Sequence, residues 1–350
     1  MFSNDDSLSE SLTILRESLD QIEGEVSLRT FEPSLDKFVN DEESIKAEEL
    51  LKESTVTLSS IAVPSPLVLP EGSLRKVYAV DASSIILGEC GKGVVFAVRG
   101  VIVRYDPWSQ KSSIVKSIES PCYVSKDNSK QLYNTLRKRL LGLSEVKKAP
   151  DLTKMVDRVR NIYERYLQLE TAKKYKDSIL LFDGSLTGRT IDTPASLLRN
   201  ILHVASSGNS DVVAFSKKTR LVTKWGERII DLLDNQTGFP VIIPLRGMIQ
   251  ANDKHRFLGD VYVAKLSRMP ISFRIDVYSK RSHSQALADL LHSVYLESGY
   301  PKPLIEAHVY SYFNAFDCLA YQALLAKRGI MMRHEFDVRR ILFGVYGGRA

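Results

Sequence analysis

The stretch Ser178-Ile-Leu-Leu-Phe-Asp183-Gly184-Ser185-Leu186 sets large apolar residues in an unbroken row, closes them with an acid and then turns the chain on a glycine. An apolar run without alternation reads as a strand covered on both faces, the pattern of a parallel sheet. Asp-Gly is also among the commonest turn signals, so taken alone Asp183 reads more simply as a carboxylate that caps a turn. A second stretch changes that balance. Lys76-Val-Tyr-Ala-Val80-Asp81-Ala-Ser83-Ser84 is another short apolar run that ends on an acid and continues in small residues.

If these two strands are neighbours in one sheet, Asp81 and Asp183 hold like charges close together at its carboxyl end. Such a pair is unstable without a cation. Hard divalent ions such as Mg²⁺ or Mn²⁺ take oxygen ligands, and two of them can activate a water and stabilise the leaving oxygen of a phosphodiester. The pattern therefore points to a metal-dependent nuclease. A third acid is expected from the helix ahead of Asp183, which offers Glu164 and Glu170. Glu170, within Leu167-Gln-Leu-Glu170-Thr-Ala, has the more apolar neighbours and is the choice; either also reads as a solvated helix acid.

Outward from the two acids the chain reads as an α/β protein. After Asp81 come a glycine-rich turn, Gly88-Glu-Cys-Gly-Lys-Gly93, and strands over Val94–Val103 and Ser112–Lys116 separated by Asp106-Pro107. Residues 127–174 change to a period of three to four (Leu132, Leu136, Leu140, then Met155, Val159, Ile162, Tyr166), a basic helical insertion leading into the opening strand. Downstream the pattern predicts a helix over Pro194–Val204 and a buried strand over Asp211–Phe215. A helix over Thr219–Leu233 follows, then strands at 241–245, 256–266 and 271–278. Helices over Ser284–Leu296 and Pro303–Lys327 end the pattern.

Residues 1–55 are acidic, with apolar residues at helical spacing (Leu8, Leu12, Leu15, Leu19, then Phe38, Ile45, Leu50), and read either as a partner-facing arm or as helices packed on the main body. Pro64, Pro66 and Pro70, followed by Gly72-Ser, mark a linker, so the expected division is an acidic helical segment and linker over 1–70 and a main domain over 71–350. Of 350 residues 44% are hydrophobic and 26% charged, an ordinary globular composition with core to spare. The net charge of +6 permits a polyanionic partner, and the acidic front end means that the remainder is more basic than the total. Cys90, Cys122 and Cys318 form no C-x-x-C pair, which argues against a disulfide framework or a structural zinc site and for a reducing compartment. The absence of a signal-like stretch or a membrane-length apolar run leads to the expectation of a cytoplasmic protein with no membrane association.

Four motifs taken together carry a family resemblance: Tyr78-Ala-Val-Asp81-Ala-Ser, Leu180-Leu-Phe-Asp183-Gly-Ser-Leu, Val212-Val-Ala-Phe-Ser-Lys217 and Gly299-Tyr300-Pro-Lys-Pro-Leu-Ile-Glu-Ala-His308. In this order they resemble the NurA nucleases of archaea and some bacteria, over roughly residues 74–325. The resemblance implies an RNase H-like mixed sheet flanked by helices, and an Mn²⁺-dependent 5′ to 3′ exonuclease with single-strand endonuclease activity. It also implies a homodimer and a hexameric HerA-type helicase-translocase as partner in DNA end resection. Carried onto this chain, it makes Asp81, Asp183 and, less securely aligned, Glu170 metal ligands, sets His308 at the metal site and Tyr300 at the substrate.

On the residues alone, a histidine in the Pro303–Lys327 helix reads as a packing residue, Tyr300 as a loop aromatic and Asp276 as a surface strand acid. For DNA the candidates are Lys217, Lys218 and Arg220 after a strand end, and Arg137, Lys138 and Arg139 on the insertion, where they would neutralise phosphates without reading sequence. Trp108, Tyr123 and Phe215 are candidate base-stacking residues whose simpler reading is core packing. No P-loop, dinucleotide fingerprint, nucleophile elbow or zincin motif occurs. The rival from another class is a non-catalytic DNA-binding or clamp subunit on the same fold, whose signature would be a missing acid.

Overall fold

The computed structural model describes residues 4–29, 55–56, 66–188, 194–219, 221–223, 226, 228–234, 238–245, 248–250 and 257–334. Helix α1 (Asn4–Glu17) and a short strand β1 (Val26–Leu28) precede three long strands, β2 (Val77–Cys90), β3 (Gly93–Asp106) and β4 (Lys111–Ser125), which form an antiparallel meander. Helices α2 (Ser129–Leu141) and α3 (Leu152–Lys174) lead into β5 (Ile179–Asp183), and α4 (Ala195–Ser207) leads into β6 (Asp211–Ser216). Strands β7 (Val241–Pro244), β8 (Asp260–Lys265) and β9 (Phe273–Tyr278) follow. The described chain closes with α5 (His283–Ser293), α6 (Lys302–Ser311), α7 (Ala315–Lys327) and β10 (Met332–His334).

One mixed sheet of ten strands organises the molecule, in the order β10-β1-β2-β5-β6-β9-β8-β7, with β3 and β4 continuing from the other edge of β2. An antiparallel meander joined to two parallel strands, β5 beside β2 and β6 beside β5, gives the RNase H-like layout. The apolar row Ile179–Phe182 is fully buried because each face of the sheet carries its own helical layer. Alternate residues serve opposite layers. Tyr78, Val80, Leu180 and Phe182 pack with α1 to α4, whereas Val77, Ala79, Ile179 and Leu181 pack with α5 and α6. A methyl group at Gly100 would stand 2.6 Å from a δ-carbon of Leu167, so the glycine sets how closely α3 seats on β3.

The structure differs from the pattern at three places, and at the front it decides between the two readings left open. Asp81 does not end a strand: β2 runs on to Cys90, paired along its length with β3, because the small residues Ala82 to Ser84 sit in the ladder without disturbing it. The helix expected over Thr219–Leu233 is replaced by a two-residue strand at Val222–Thr223 and a single helical turn at Asp231–Asp234; Gly226, at φ 85°, turns the backbone between them. The helix expected over Pro303–Lys327 is two, α6 and α7, and Asn314 caps the second by accepting from the amides of Phe316 and Asp317. At the front, Leu8 and Leu15 lie in the core shared with α2 and α3, and β1 pairs with both β2 and β10. The first helix is therefore packed on the main body; residues 30–54 of the acidic stretch, including Phe38, Ile45 and Leu50, lie outside the described residues.

Candidate active site

The β2–β5 ladder pairs Val77 with Ile179 and ends with Val80 opposite Phe182. Asp81 and Asp183 are the next residue of each strand, and alternation turns both toward the layer of α5 and α6. Asp81 is buried, 7% exposed. Helix α6 crosses above it and presents two side chains one turn apart. His308 Nδ1 lies 3.0 Å from Asp81 Oδ2, and Ser311 Oγ donates to the same oxygen at 2.9 Å. All of these bonds fall on Oδ2, which leaves Oδ1 of Asp81 as an oxygen donor without a hydrogen bond among the described residues.

Asp183 is held from two other elements. Tyr300 OH donates to Asp183 Oδ1 at 3.1 Å, and Lys217 Nζ donates to Asp183 Oδ2 at 2.8 Å. Tyr300 reaches this position because its ring is wedged against Phe215 and Phe273, with centroids 5.7 and 5.4 Å away, while Gly299 at φ 87° turns the chain in front of it. The Lys217 ammonium also rides over the Tyr300 ring at 5.2 Å. Lys217 thus sets a positive charge beside Asp183 that also acts on Asp81.

The electrostatics follow from these contacts. Burial pushes the Asp81 carboxyl upward, but the hydrogen bonds from His308 and Ser311 and the charge of Lys217 outweigh it and hold it below the usual aspartate value. His308 is raised above its ordinary value, chiefly by its hydrogen bond to Asp81 and against its own burial. It also sits in the last turn of α6, where the helix dipole favours a cation.

The structure brings together Asp81, Asp183, Tyr300, His308 and Lys217, drawn from β2, β5, the residues just before α6, the last turn of α6 and the residue after β6. Lys218 is half-buried beside Lys217, and Arg220 lies outside the described residues. Glu170 is not brought to the pair. It is on α3, in the layer on the opposite face of the sheet, 3.5 Å from Lys173 Nζ. Glu164, on the same helix, accepts from Gln168 Nε2 at 2.9 Å. Among the described residues no group of three or more His, Cys, Asp or Glu is arranged to hold a metal ion.

Two further expectations are corrected, at Arg137 and at Asp276. Arg137 is 2% exposed, and its guanidinium donates to the Glu145 carbonyl at 2.7 Å, so it joins α2 to the loop after it and is not available to DNA. Arg139 is exposed and ion-paired with Glu10. Asp276 is a buried acid, 1% exposed, paired to Arg274 at 2.7 Å. Of the aromatic candidates Tyr123 and Phe215 are core residues, and Trp108 stands exposed in the turn between β3 and β4.

Sequence reasoning overlooked Ser311, although its i+3 spacing from His308 on one helix was the signal that would have found it. The donor set suits a hard divalent cation: two carboxylates on adjacent strands, one with an oxygen that takes no hydrogen bond among the described residues, and both beside positive charge.

The NurA domain model matches residues 75–311. Among solved structures, the chain is similar to the NurA nuclease from Sulfolobus solfataricus, at 16% identity and a TM-score of 0.50, covering 85% of this chain and 97% of that one. A NurA bound to dAMP and manganese aligns at 9% identity and a TM-score of 0.47 over 84% of this chain and 96% of that one. The endonuclease V from Bacillus subtilis aligns at 12% identity and a TM-score of 0.38 over 87% of this chain and all of that one (100%). No curated protein sequence matches the chain at a significant level.

Proposed function

The chain belongs to the NurA family, and from that premise we propose that it is a metal-dependent deoxyribonuclease whose centre is the Asp81–Asp183 pair. One observation carries the reading. Two carboxylates on neighbouring strands face the same way, and each is hydrogen-bonded by a different polar side chain, His308 for one and Tyr300 for the other.

Asp81 and Asp183 would hold the divalent ion, Mn²⁺ or Mg²⁺ in its place. Bound there, such an ion supplies Lewis acidity toward the phosphodiester and a water of lowered pKa. The remaining roles belong to the chain itself. His308 and Ser311 fix the rotamer of Asp81. The Tyr300 hydroxyl fixes Asp183, and the Lys217 ammonium, 32% exposed at its side chain, is placed to neutralise a backbone phosphate.

Family membership further supports a 5′ to 3′ exonuclease on single- and double-stranded DNA with single-strand endonuclease activity. The same support extends to a homodimer acting with a HerA-type hexameric helicase-translocase in double-strand-break end resection. The test is digestion of strands labelled at the 5′ or the 3′ end by the purified protein, with Mn²⁺, Mg²⁺ or chelator. Early release of the 5′ label with Mn²⁺ is expected; the absence of metal-dependent cleavage would sink the reading.

A second reading, a DNA-binding clamp without chemistry, is favoured by one observation, the placement of Glu170 on the far face of the sheet. The same assay separates them, since the clamp binds DNA and leaves it intact.

A further inference from the structure

Arg274 and Asp276 lie two residues apart on β9, so their side chains share a face. They form a bidentate pair, Nε to Oδ1 and Nη2 to Oδ2, both at 2.7 Å, and are 0% and 1% exposed. Across the sheet they stand opposite Ser216 and Ala214 of β6, on the face turned away from the Asp183 carboxylate. A buried ion pair is commonly no more stabilising than apolar side chains of the same volume. Fold stability alone therefore does not account for two charges here.

Their remaining bonds do. Asp276 Oδ2 accepts the backbone N–H of Leu186 at 2.9 Å, and Arg274 Nη2 donates to Thr187 Oγ1 at 3.1 Å. These are the third and fourth residues after Asp183. Between them and Asp183 stands Gly184, at φ 93°, whose N–H donates to the Phe215 carbonyl at 2.8 Å. The glycine lets the chain leave in many directions, and the buried pair selects one. The Leu186 carbonyl in turn accepts from Leu258 N at 3.0 Å, which closes the anchor against the strand entering β8.

We propose that Arg274 and Asp276 are positioning residues for Asp183: from the opposite face of the sheet they fix the turn Gly184–Thr187 and thereby the orientation in which Asp183 meets a divalent cation. This rests on the reading of Asp81 and Asp183 as ligands. The variants are Arg274→Met/Asp276→Leu, which removes both charges and the acceptor for Leu186 at similar volume, and Arg274→Met/Asp276→Asn, which removes the charges but retains an acceptor.

Mn²⁺ affinity is measured on the full chain by the paramagnetic resonance signal of the free ion, alongside Tm and DNA cleavage across Mn²⁺ concentrations. For the Leu variant Tm stays near that of the wild type, the Mn²⁺ dissociation constant rises by about tenfold, and cleavage lost at low Mn²⁺ returns at high Mn²⁺. The Asn variant recovers most of the affinity. Unchanged Mn²⁺ affinity in the Leu variant, equal loss in both variants, or no measurable Mn²⁺ binding by the wild type would each overturn the assignment. A wild type that binds Mn²⁺ and cleaves no DNA would refute the nuclease reading while leaving the positioning role to be decided by the affinities.

Discussion

His308 reaches across from the last turn of α6 to hold Asp81 Oδ2 at 3.0 Å, so a helix packed on the sheet orients a carboxylate that belongs to the sheet. Tyr300, donating to Asp183 Oδ1 at 3.1 Å, is its counterpart on the neighbouring strand.

Replacing either carboxylate tests the centre directly. Asp81→Asn and Asp183→Asn are each expected to lower Mn²⁺-dependent cleavage of single-stranded DNA by about a hundredfold or more, since each removes a charged ligand worth several kcal/mol in the transition state. Circular dichroism should show both variants folded. Undiminished cleavage by either purified variant removes that residue from the site.

Lys217→Met separates phosphate neutralisation from metal holding. Binding to single-stranded DNA, measured in chelator, should weaken to a similar degree for all sequences, and the dependence of log K on log salt should become shallower by about one counterion. An unchanged salt slope would place Lys217 in the structure of Asp183 alone.

The cluster around Asp289 predicts an acid limb of stability. Asp289 is buried, and although burial opposes it, the Ser73 amide, the Gln285 amide and Arg281 together hold its carboxyl below the usual aspartate value. Arg75 lies 4.0 Å away, and Asp211 shares Arg281. A depressed carboxyl contributes stability that is present above the unfolded value of about 4 and is lost as the pH falls through the lower folded value. Asp289→Asn should therefore cost about 2 kcal/mol at neutral pH and little in strong acid. Urea unfolding of both proteins across that range reads the difference directly; a constant difference would refute the linkage.

Leu15 is fully buried against the sheet core from the first helix. Leu15→Ala should cost about 3 kcal/mol in urea unfolding and leave cleavage per folded molecule unchanged. A cost near zero would mean that α1 is an appendage after all.

How much of this was legible in the sequence depends on range. The apolar row before Asp183 and the run before Asp81 marked two strands, because burial on both faces leaves a recognisable composition; that the two lie side by side and parallel is a fact of the fold. Family resemblance carried His308 to the metal site and Tyr300 to the substrate, but not their bonds to Asp81 and Asp183, since a hydrogen bond between residues 117 or 227 positions apart leaves no local pattern. Asp276 was misread for the same reason. Its alternation showed that it faced one side of a sheet, but whether that side was solvent or core depended on helices far away in the chain. The helix expected over Thr219–Leu233 failed because the apolar spacing was right while Gly226 broke the backbone. Glu170 fitted as a third acid by sequence distance; which face of the sheet its helix covers is a tertiary fact.

The two aspartates differ in what would have to break for them to move. Asp81 lies within the β2–β3 ladder, which runs in register from Val77 to Ile86, whereas Asp183 is the last residue of its strand and is followed by a glycine in a left-handed conformation. Amide hydrogen exchange should find the Asp81 backbone protected by its ladder, and the Gly184 and Leu186 amides protected by their bonds to the Phe215 carbonyl and the Asp276 carboxylate. The centre therefore takes its geometry from two separate sources, a strand ladder under Asp81 and a side-chain anchor beneath the turn after Asp183, and only the second can be removed by substituting side chains.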